Sequence, residues 1–331
     1  GMDGAVAFDY SKITARQMLN LDSEDENEAI VSCAGGCHLK VFRAFDKTAA
    51  SGSALRVRVG GFAGGHSGSD IHLGKVNAAR RLAKLLAKIC EKYDCRLIRF
   101  EGGEKDNAIP TDAYAELLVG TGAEAELAEL FKRAQKTVTA ADAAAEIGFE
   151  RFDFAGNAFD THATKQICKL IATIPNGVVS RYEHIDLVKT SLNTGVVRVA
   201  DGEFLLHSMI RSSDDAEKEQ LTDEVCTLAA DMGFSYEKDG EYPSWGYAEH
   251  SPLRDIYIEA YRKVYGLKPR VCGIHAGLEC GFIKSAIPDM DILSLGPTMR
   301  DIHTVNERLD MDSCARFMQM LRLIVHGHEA K

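Results

Sequence analysis

The stretch VCGIHAGLECGFIKSAIPDMDILSL, residues 271–295, decides the fold class because strand and helix patterns alternate along it. Short apolar runs at its two ends predict strands, and helical patterns lie between them and on either side. The predicted elements are strands at 271–274 and 292–295 and helices at 250–265, 276–284 and 310–325. Such alternation is typical of an α/β domain built on a parallel sheet.

A strand near the other end of the chain completes this domain. RQMLNLD at 16–22 has the pattern of a short strand, and the acid-rich loop SEDENE follows it. We expect this strand to join the C-terminal ones in a single sheet. The sequence therefore predicts one α/β domain made of residues 1–36 and 241–331, with residues 37–240 inserted as a second domain.

The inserted segment has a different pattern, in which strands outnumber helices. Alternating strands are predicted first, then helices and strands in two similar runs, one within 54–146 and one within 192–239. The first run includes a long helix from Ala123 to about residue 146. Strands that alternate polar and apolar residues are typical of antiparallel sheets with one covered face. We predict an α+β domain of two related halves, although no repeat is visible residue by residue.

Composition narrows the class of protein. Lys and Arg number 39 against 49 Asp and Glu, which gives a net charge of −10, and 45% of residues are hydrophobic. These values exclude a disordered or collagen-like chain, and the acidic balance argues against nucleic-acid and anionic-membrane partners. No apolar run approaches the roughly 20 residues of a membrane helix, and the first residues lack a signal-peptide pattern. With nine scattered cysteines, we expect a cytoplasmic protein with reduced thiols.

Two candidate metal ligands follow strands of the predicted parallel sheet. Asp22 comes after MLNL, and His275 comes after VCGI. Ligands of open parallel sheets bind outside the carboxyl ends of the strands, so these side chains could form half of a zinc site. The alternatives are a solvated acidic loop for Asp22 and a hydrogen-bonded core imidazole for His275.

Three residues of the inserted domain are candidates for substrate binding. His66 lies in the glycine-rich segment GGFAGGHSGSDIH and could donate a hydrogen bond to a developing oxyanion, or be a surface histidine in a flexible loop. Arg211 ends the strand pattern FLLHSMIR and could bind a carboxylate, or form an ordinary salt bridge. Asn107 precedes AIP and could orient a carbonyl, or stabilise a turn.

Ten segments together resemble the aminoacyl-histidine dipeptidases, relatives of carnosinase in the two-zinc exopeptidase family. They occur in family order along the whole chain, and GGHSG and HAGLECG are the most specific. The segments are GMDGA (1–5), LDSEDE (21–26), CAGG (33–36), GGHSGSDIHLGKVNA (64–78), DNAIP (106–110), PNGVV (175–179), TSLNTGVV (190–197), YPSW (242–245), IHAGLECGF (274–282) and MDILSLGPT (290–298).

The resemblance implies a metal-dependent peptidase whose catalytic domain is interrupted by a lid domain. Asp22 and His275 would each bind one ion of a zinc pair, and His66 would reach from the lid to the scissile carbonyl. Asn107 and Arg211 would hold a small peptide substrate. A hydroxide bridging the two ions would attack the peptide carbonyl, with a glutamate as general base.

The sequence departs from the family pattern in ways that affect activity. In the family, a Glu-Glu pair directly precedes GMDGA and a His-x-Asp motif lies further upstream, whereas this sequence starts at GMDGA and does not include that upstream segment. We therefore expect a truncated catalytic domain that holds zinc weakly and does not hydrolyse peptides alone. The alternative is a non-catalytic remnant that binds peptides or a partner chain.

Two further departures concern specificity and association. Asp106 stands where the family has a basic residue, and the loop around His303 lacks the Pro and Asp of the family loop. Both changes put the preference for a C-terminal histidine in doubt. Uncovered sheet edges in a truncated domain would favour a homo-oligomer.

Overall fold

The computed structural model describes residues 2–120, 122–138, 142–183, 186–302 and 304–327. The helices of these residues are α1 (Asp3–Ala7), α2 (Ala78–Lys92), α3 (Ala123–Gln135), α4 (Thr161–Thr173), α5 (Asp215–Asp231), α6 (Pro252–Tyr265), α7 (Glu279–Ala286) and α8 (Met311–Gly327). The strands are β1 (Gln17–Asn20), β2 (Glu28–Cys33), β3 (Gly35–Ala44), β4 (Lys47–Gly60), β5 (Gly65–His66), β6 (Cys95–Gly102), β7 (Ala108–Ile109), β8 (Ala113–Val119), β9 (Glu146–Phe159), β10 (Gly177–Arg181), β11 (Val188–Ala200), β12 (Glu203–Ser212), β13 (Ser235–Tyr242), β14 (Arg270–Ile274), β15 (Asp291–Ser294), β16 (Met299–Arg300) and β17 (Arg308–Leu309).

The two ends of the chain meet in a four-stranded sheet of order β1-β15-β2-β14. β1 pairs in parallel with β15, and β14 pairs in parallel with β2, while a single antiparallel pair between Ser294 and Ile30 joins the two ribbons. The sequence pattern missed β2, which lies within the sheet. Its segment EAIVSC is too short and too continuously buried to show alternation.

Helices cover both faces of this small sheet. α6 and α8 bury Tyr257, Tyr261 and Phe317 against one face. Trp245 and Cys280 belong to a second apolar cluster, which includes Ile292 of the sheet. A sheet packed between helices confirms the α/β class of this part of the chain. The sheet is mixed and not wholly parallel as predicted, because Ser294 and Ile30 pair in antiparallel orientation.

The inserted segment forms one large antiparallel sheet of nine strands. Eight of them have the order β13-β3-β12-β11-β6-β8-β4-β9, and β10 pairs with β11. Helices α2 to α5 contribute to a single apolar cluster on one face, and we call this unit the lid. No helix of the described residues is both long and apolar enough to cross a membrane.

The lid consists of two halves with the same topology, as predicted, but both halves include elements outside the predicted runs at 54–146 and 192–239. One half contains β4, α2, β6, β8, α3 and β9, and the other contains β3, α4, β11, β12, α5 and β13. Each is a strand-helix-strand-strand-helix-strand unit whose first strand lies between the third and the fourth. β6 and β11 pair between Phe100–Gly102 and Val197–Val199, which makes the two halves one sheet.

The predicted long helix from Ala123 was wrong in its length. α3 ends at Gln135, and β9 begins at Glu146 and pairs with β4 along its whole length. The alanines of AADAAAEIG have high helix propensity, but the following residues alternate as EIGFERFDF, and pairing with β4 determines their structure. Residues 139–141 lie outside the described residues.

The two chain crossings between the small sheet and the lid run side by side. Cys33 and Trp245 exchange backbone hydrogen bonds of 2.9 and 3.0 Å. A Cβ on Gly35 would lie 2.7 Å from the Tyr242 carbonyl oxygen, so only glycine allows this close approach. The crossing therefore places the start of β3 and the end of β13 at the junction between the small sheet and the lid.

All nine cysteines are free thiols, as the sequence predicts.

Candidate active site

The segments that carry His66 and Asn107 meet in a small two-stranded antiparallel sheet. β5 pairs with β7, so that His66 lies opposite Ala108. The Ser67 N–H donates to the Asn107 carbonyl oxygen at 2.8 Å. Two residues that are 41 positions apart in the sequence are thereby held next to each other.

The His66 imidazole has a defined hydrogen-bond pattern. Its Nδ1 accepts from the N–H groups of Gly68 and Ser69, each at 3.2 Å, and its own backbone N–H donates to Asp70 Oδ2 at 2.9 Å. Burial lowers the pKa of His66, and the positive charge of Arg211 lowers it further. A neutral ring whose Nδ1 accepts must carry its proton on Nε2, which leaves an N–H donor for a ligand.

Arg211 is a buried cation with neutral partners. Its side chain is almost fully buried, with 5% of the residue exposed. Nη1 donates to the Tyr242 hydroxyl at 2.8 Å, and Nε donates to Ser67 Oγ at 3.4 Å. Among the described residues no carboxylate pairs with Arg211, so the salt bridge considered as the alternative is absent there. A buried charge without a counterion is unfavourable, and an anionic ligand would compensate it.

Glycines make the space for the tyrosine that holds Arg211. A Cβ on Gly36 would lie 2.4 Å from the Tyr242 hydroxyl oxygen, and one on Gly277 would lie 2.7 Å from the same ring. Both glycines fall in motif segments, CAGG and HAGLECG. The Tyr242 ring therefore packs between the start of the lid sheet and the segment that follows β14.

His275 is buried next to the same loop. A Cβ on Gly68 would lie 2.5 Å from the His275 carbonyl oxygen. The His275 Nε2 lies 2.7 Å from Ser191 Oγ, and Nδ1 is buried without a hydrogen-bond partner in the described part of the chain. Burial, with a smaller contribution from Arg211, lowers the pKa of His275 to about 3, so the ring is neutral at pH 7.

Asp22 does not meet His275. It is exposed, two residues beyond β1, and no hydrogen bond or ion pair of the described residues includes it. β1 and β14 form opposite edges of the small sheet, three strand spacings or roughly 14 Å apart. Within the described ranges no three His, Cys, Asp or Glu side chains are grouped to hold a metal. These residues alone do not fit a zinc pair.

Three polar residues around the site were missed by the sequence reasoning. Ser67, Ser191 and Tyr242 hold Arg211 and His275 in place. All three lie in the quoted motif segments, which was the only signal available for them. Of the two specificity positions, His303 lies outside the described residues, and Asp106 contacts Nδ1 of His38 on β3.

A buried arginine and an imidazole N–H donor lie together at the junction of the small α/β sheet and the inserted lid. The chain belongs to the peptidase family M20/M25/M40, whose model matches residues 77–326. It is 32% identical to the cytosol non-specific dipeptidase of Escherichia coli K12 over 338 aligned positions, which cover all of this chain and 70% of the relative. The crystal structure of aminoacylhistidine dipeptidase from Vibrio alginolyticus superposes with a TM-score of 0.90 at 30% identity, over 98% of this chain and 68% of that one.

Proposed function

We propose that the chain carries the substrate-binding residues of a metal-dependent dipeptidase of the aminoacyl-histidine type. The 331 residues alone would bind a dipeptide without hydrolysing it. Membership of the peptidase family and the name of the Vibrio alginolyticus relative support the reaction class.

The buried Arg211 is the observation that carries the proposal. Its guanidinium is already desolvated and held by two neutral hydroxyls, so a carboxylate gains charge-assisted hydrogen bonds at little further cost in desolvation. We assign the C-terminal carboxylate of the dipeptide to Arg211. His66 Nε2–H would donate to the scissile carbonyl, and Asn107 would hold the peptide beside it.

Zinc is the proposed cofactor, with Asp22 and His275 as ligands of different ions. Each ion would then have one donor from the described residues, whereas a catalytic zinc takes about three protein ligands. We therefore expect the isolated chain to bind zinc weakly. Equilibrium dialysis against zinc would test this, and two tightly held ions per chain would contradict it.

Calorimetric titration with Ala-His and with its C-terminal amide tests the carboxylate assignment. The free carboxylate should bind more tightly than the amide, and Arg211→Met should weaken binding of the dipeptide by about 10- to 100-fold, the range for a hydrogen bond to a charged group. Arg43→Met is the matched control, because Arg43 also has neutral partners, Gln166 and Met232, but lies on β3 away from the site.

Three results would contradict the proposal. Equal affinities for the dipeptide and its amide, or an Arg211→Met variant that binds like the wild type, would remove the carboxylate assignment. Release of free histidine from Ala-His by the purified chain with zinc would overturn the lack of turnover. A chain that binds neither Ala-His nor its amide would favour the non-catalytic alternative in which the ligand is a partner chain.

We also propose a cytosolic homo-oligomer without nucleic-acid or membrane partners. The Escherichia coli relative is named as a cytosol enzyme, and the net charge of −10 disfavours polyanions. Strands β9 and β13 are the outer strands of the lid sheet, and β13 is exposed along most of its length. Open edges favour self-association, which light scattering would measure.

A further inference from the structure

Asn193, a buried residue of β11, contacts the backbone on both sides of Asn107. Its Nδ2 donates to the Asp106 carbonyl oxygen at 2.8 Å and to the Ala108 carbonyl oxygen at 2.8 Å. The residue is 1% exposed. One side-chain amide nitrogen therefore fixes the peptide groups that flank a proposed substrate-binding residue.

β11 is shaped to bring this amide to the loop. Thr194 pairs with Ser208 and Val196 with His207, so Gly195 is an extra residue that makes a bulge. Bulges redirect side chains and occur often beside active sites. Asn176 Oδ1 accepts the Thr194 N–H at 2.9 Å, and Asn77 Nδ2 donates to the Thr194 carbonyl at 2.7 Å, so the bulge is itself held by hydrogen bonds.

Two glycines allow the loop to lie directly on the bulge. A Cβ on Gly195 would lie 2.3 Å from the Asp106 Cα, and a Cβ on Gly103 would lie 1.9 Å from the Gly195 carbonyl oxygen. Gly103 also has φ of +71°, a conformation that favours glycine. On its other side the loop is held by the contact between Asp106 and His38.

We propose that Asn193 is a positioning residue of the substrate site, which holds Asn107 beside His66. The Ser67 N–H bond to the Asn107 carbonyl transmits this position to the His66 loop. The proposal rests on the proposed function for the role of Asn107, while the clamping of the loop is independent of it. A residue that served only the stability of the lid would not affect the loop selectively.

Asn193→Asp removes the amide donor with almost no change in size. Asn77→Asp is the matched control, because it removes an amide donor to the Thr194 carbonyl of the same bulge but touches neither flank of Asn107. It also keeps the oxygen that caps α2 through the Arg80 N–H. Asn193→Leu, of similar size and uncharged, separates loss of donation from the added charge.

Hydrogen exchange of residues 103–110, measured without ligand, tests the clamp. Both Asn193 variants should exchange about tenfold faster there than the wild type, while Asn77→Asp, which loses a contact to the bulge but none to the loop, should accelerate exchange in this segment much less. An unchanged rate in the Asn193 variants, or equal acceleration in Asn77→Asp, would overturn the proposal. This measurement does not depend on whether a dipeptide binds.

Titration with Ala-His tests the consequence for the substrate. The Asn193 variants should bind about tenfold more weakly than the wild type and the control. Faster exchange with unchanged affinity would refute a positioning role. If the wild type itself fails to bind, the proposed function fails, and the exchange result still decides whether Asn193 clamps the loop.

Discussion

Gly68→Ala tests the contact between the His66 loop and the segment that follows β14. Gly68 is buried, and its φ lies outside the left-handed region, so the backbone tolerates alanine and only space opposes it. The added Cβ would lie 2.5 Å from the His275 carbonyl oxygen and 3.0 Å from His66 Cε1. The first distance is about 0.9 Å shorter than the closest ordinary contact of a Cβ.

An overlap of this size forces the loop away from the sheet. Overpacking of a close-packed contact lowers the free energy of unfolding by about 1–3 kcal/mol, and we expect Gly68→Ala to fall in this range. Because the displaced atoms include the His66 ring, affinity for Ala-His should fall as well. Urea denaturation measures the first effect, and calorimetric titration measures the second.

Gly148→Ala supplies the control for the same chemical change. Gly148 lies on the exposed strand β9, no atom lies within 4 Å of its added Cβ, and its φ is also outside the left-handed region. Alanine there should raise the free energy of unfolding by about 0.4–1 kcal/mol, since it restricts the unfolded chain. If Gly68→Ala proved as stable as Gly148→Ala, the loop would not pack against His275 and the arrangement of the site would be refuted.

Three further predictions concern individual side chains. Tyr242→Phe removes the hydroxyl that accepts from Arg211 and should weaken Ala-His binding about three- to tenfold by calorimetry, and wild-type affinity would contradict the contact. Nitrogen-15 NMR should find His66 protonated on Nε2, with a titration midpoint below 6.5 because burial and Arg211 lower its pKa, and a midpoint above 7 would contradict this. Burial raises the pKa of Glu217, but hydrogen bonds, first that of Lys189, outweigh it and lower the pKa below 4.5. The charged form therefore stabilises the fold above that pH, and the stability lost in Glu217→Gln at pH 7 should shrink as the pH of the denaturation series falls below 4.5.

Periodicity in the sequence was enough to predict most of the fold. The strand pattern FLLHSMIR corresponds to β12, and the apolar runs at the two chain ends predicted strands in one sheet, where β1 pairs in parallel with β15. β2 and β9 were missed for opposite reasons. β2 is buried and shows no alternation, while β9 follows an alanine-rich segment and alternates over an exposed surface.

The composition of the site was less predictable than the fold. The sequence showed the many glycines around His66 and the position of Arg211 at the end of a strand. The structure places these two residues close to Asn107 and His275. What the sequence could not supply were the contacts of these side chains. The Tyr242 hydroxyl reaches Arg211 only because the chain crossings run side by side, a consequence of tertiary structure that no local pattern encodes.

Arg211 affects both the protonation of the two histidines and the net charge of the site. Its charge lowers the pKa of both His66 and His275, in addition to the larger effect of burial on each. Both imidazoles are therefore neutral at pH 7, which His66 requires to accept at Nδ1 while donating from Nε2, and which a histidine requires to act as a metal ligand. In the proposed function, the same uncompensated charge attracts the substrate carboxylate. A glutamate or aspartate paired with Arg211 would abolish both effects at once, because it would neutralise the cation and occupy the donors that the carboxylate needs.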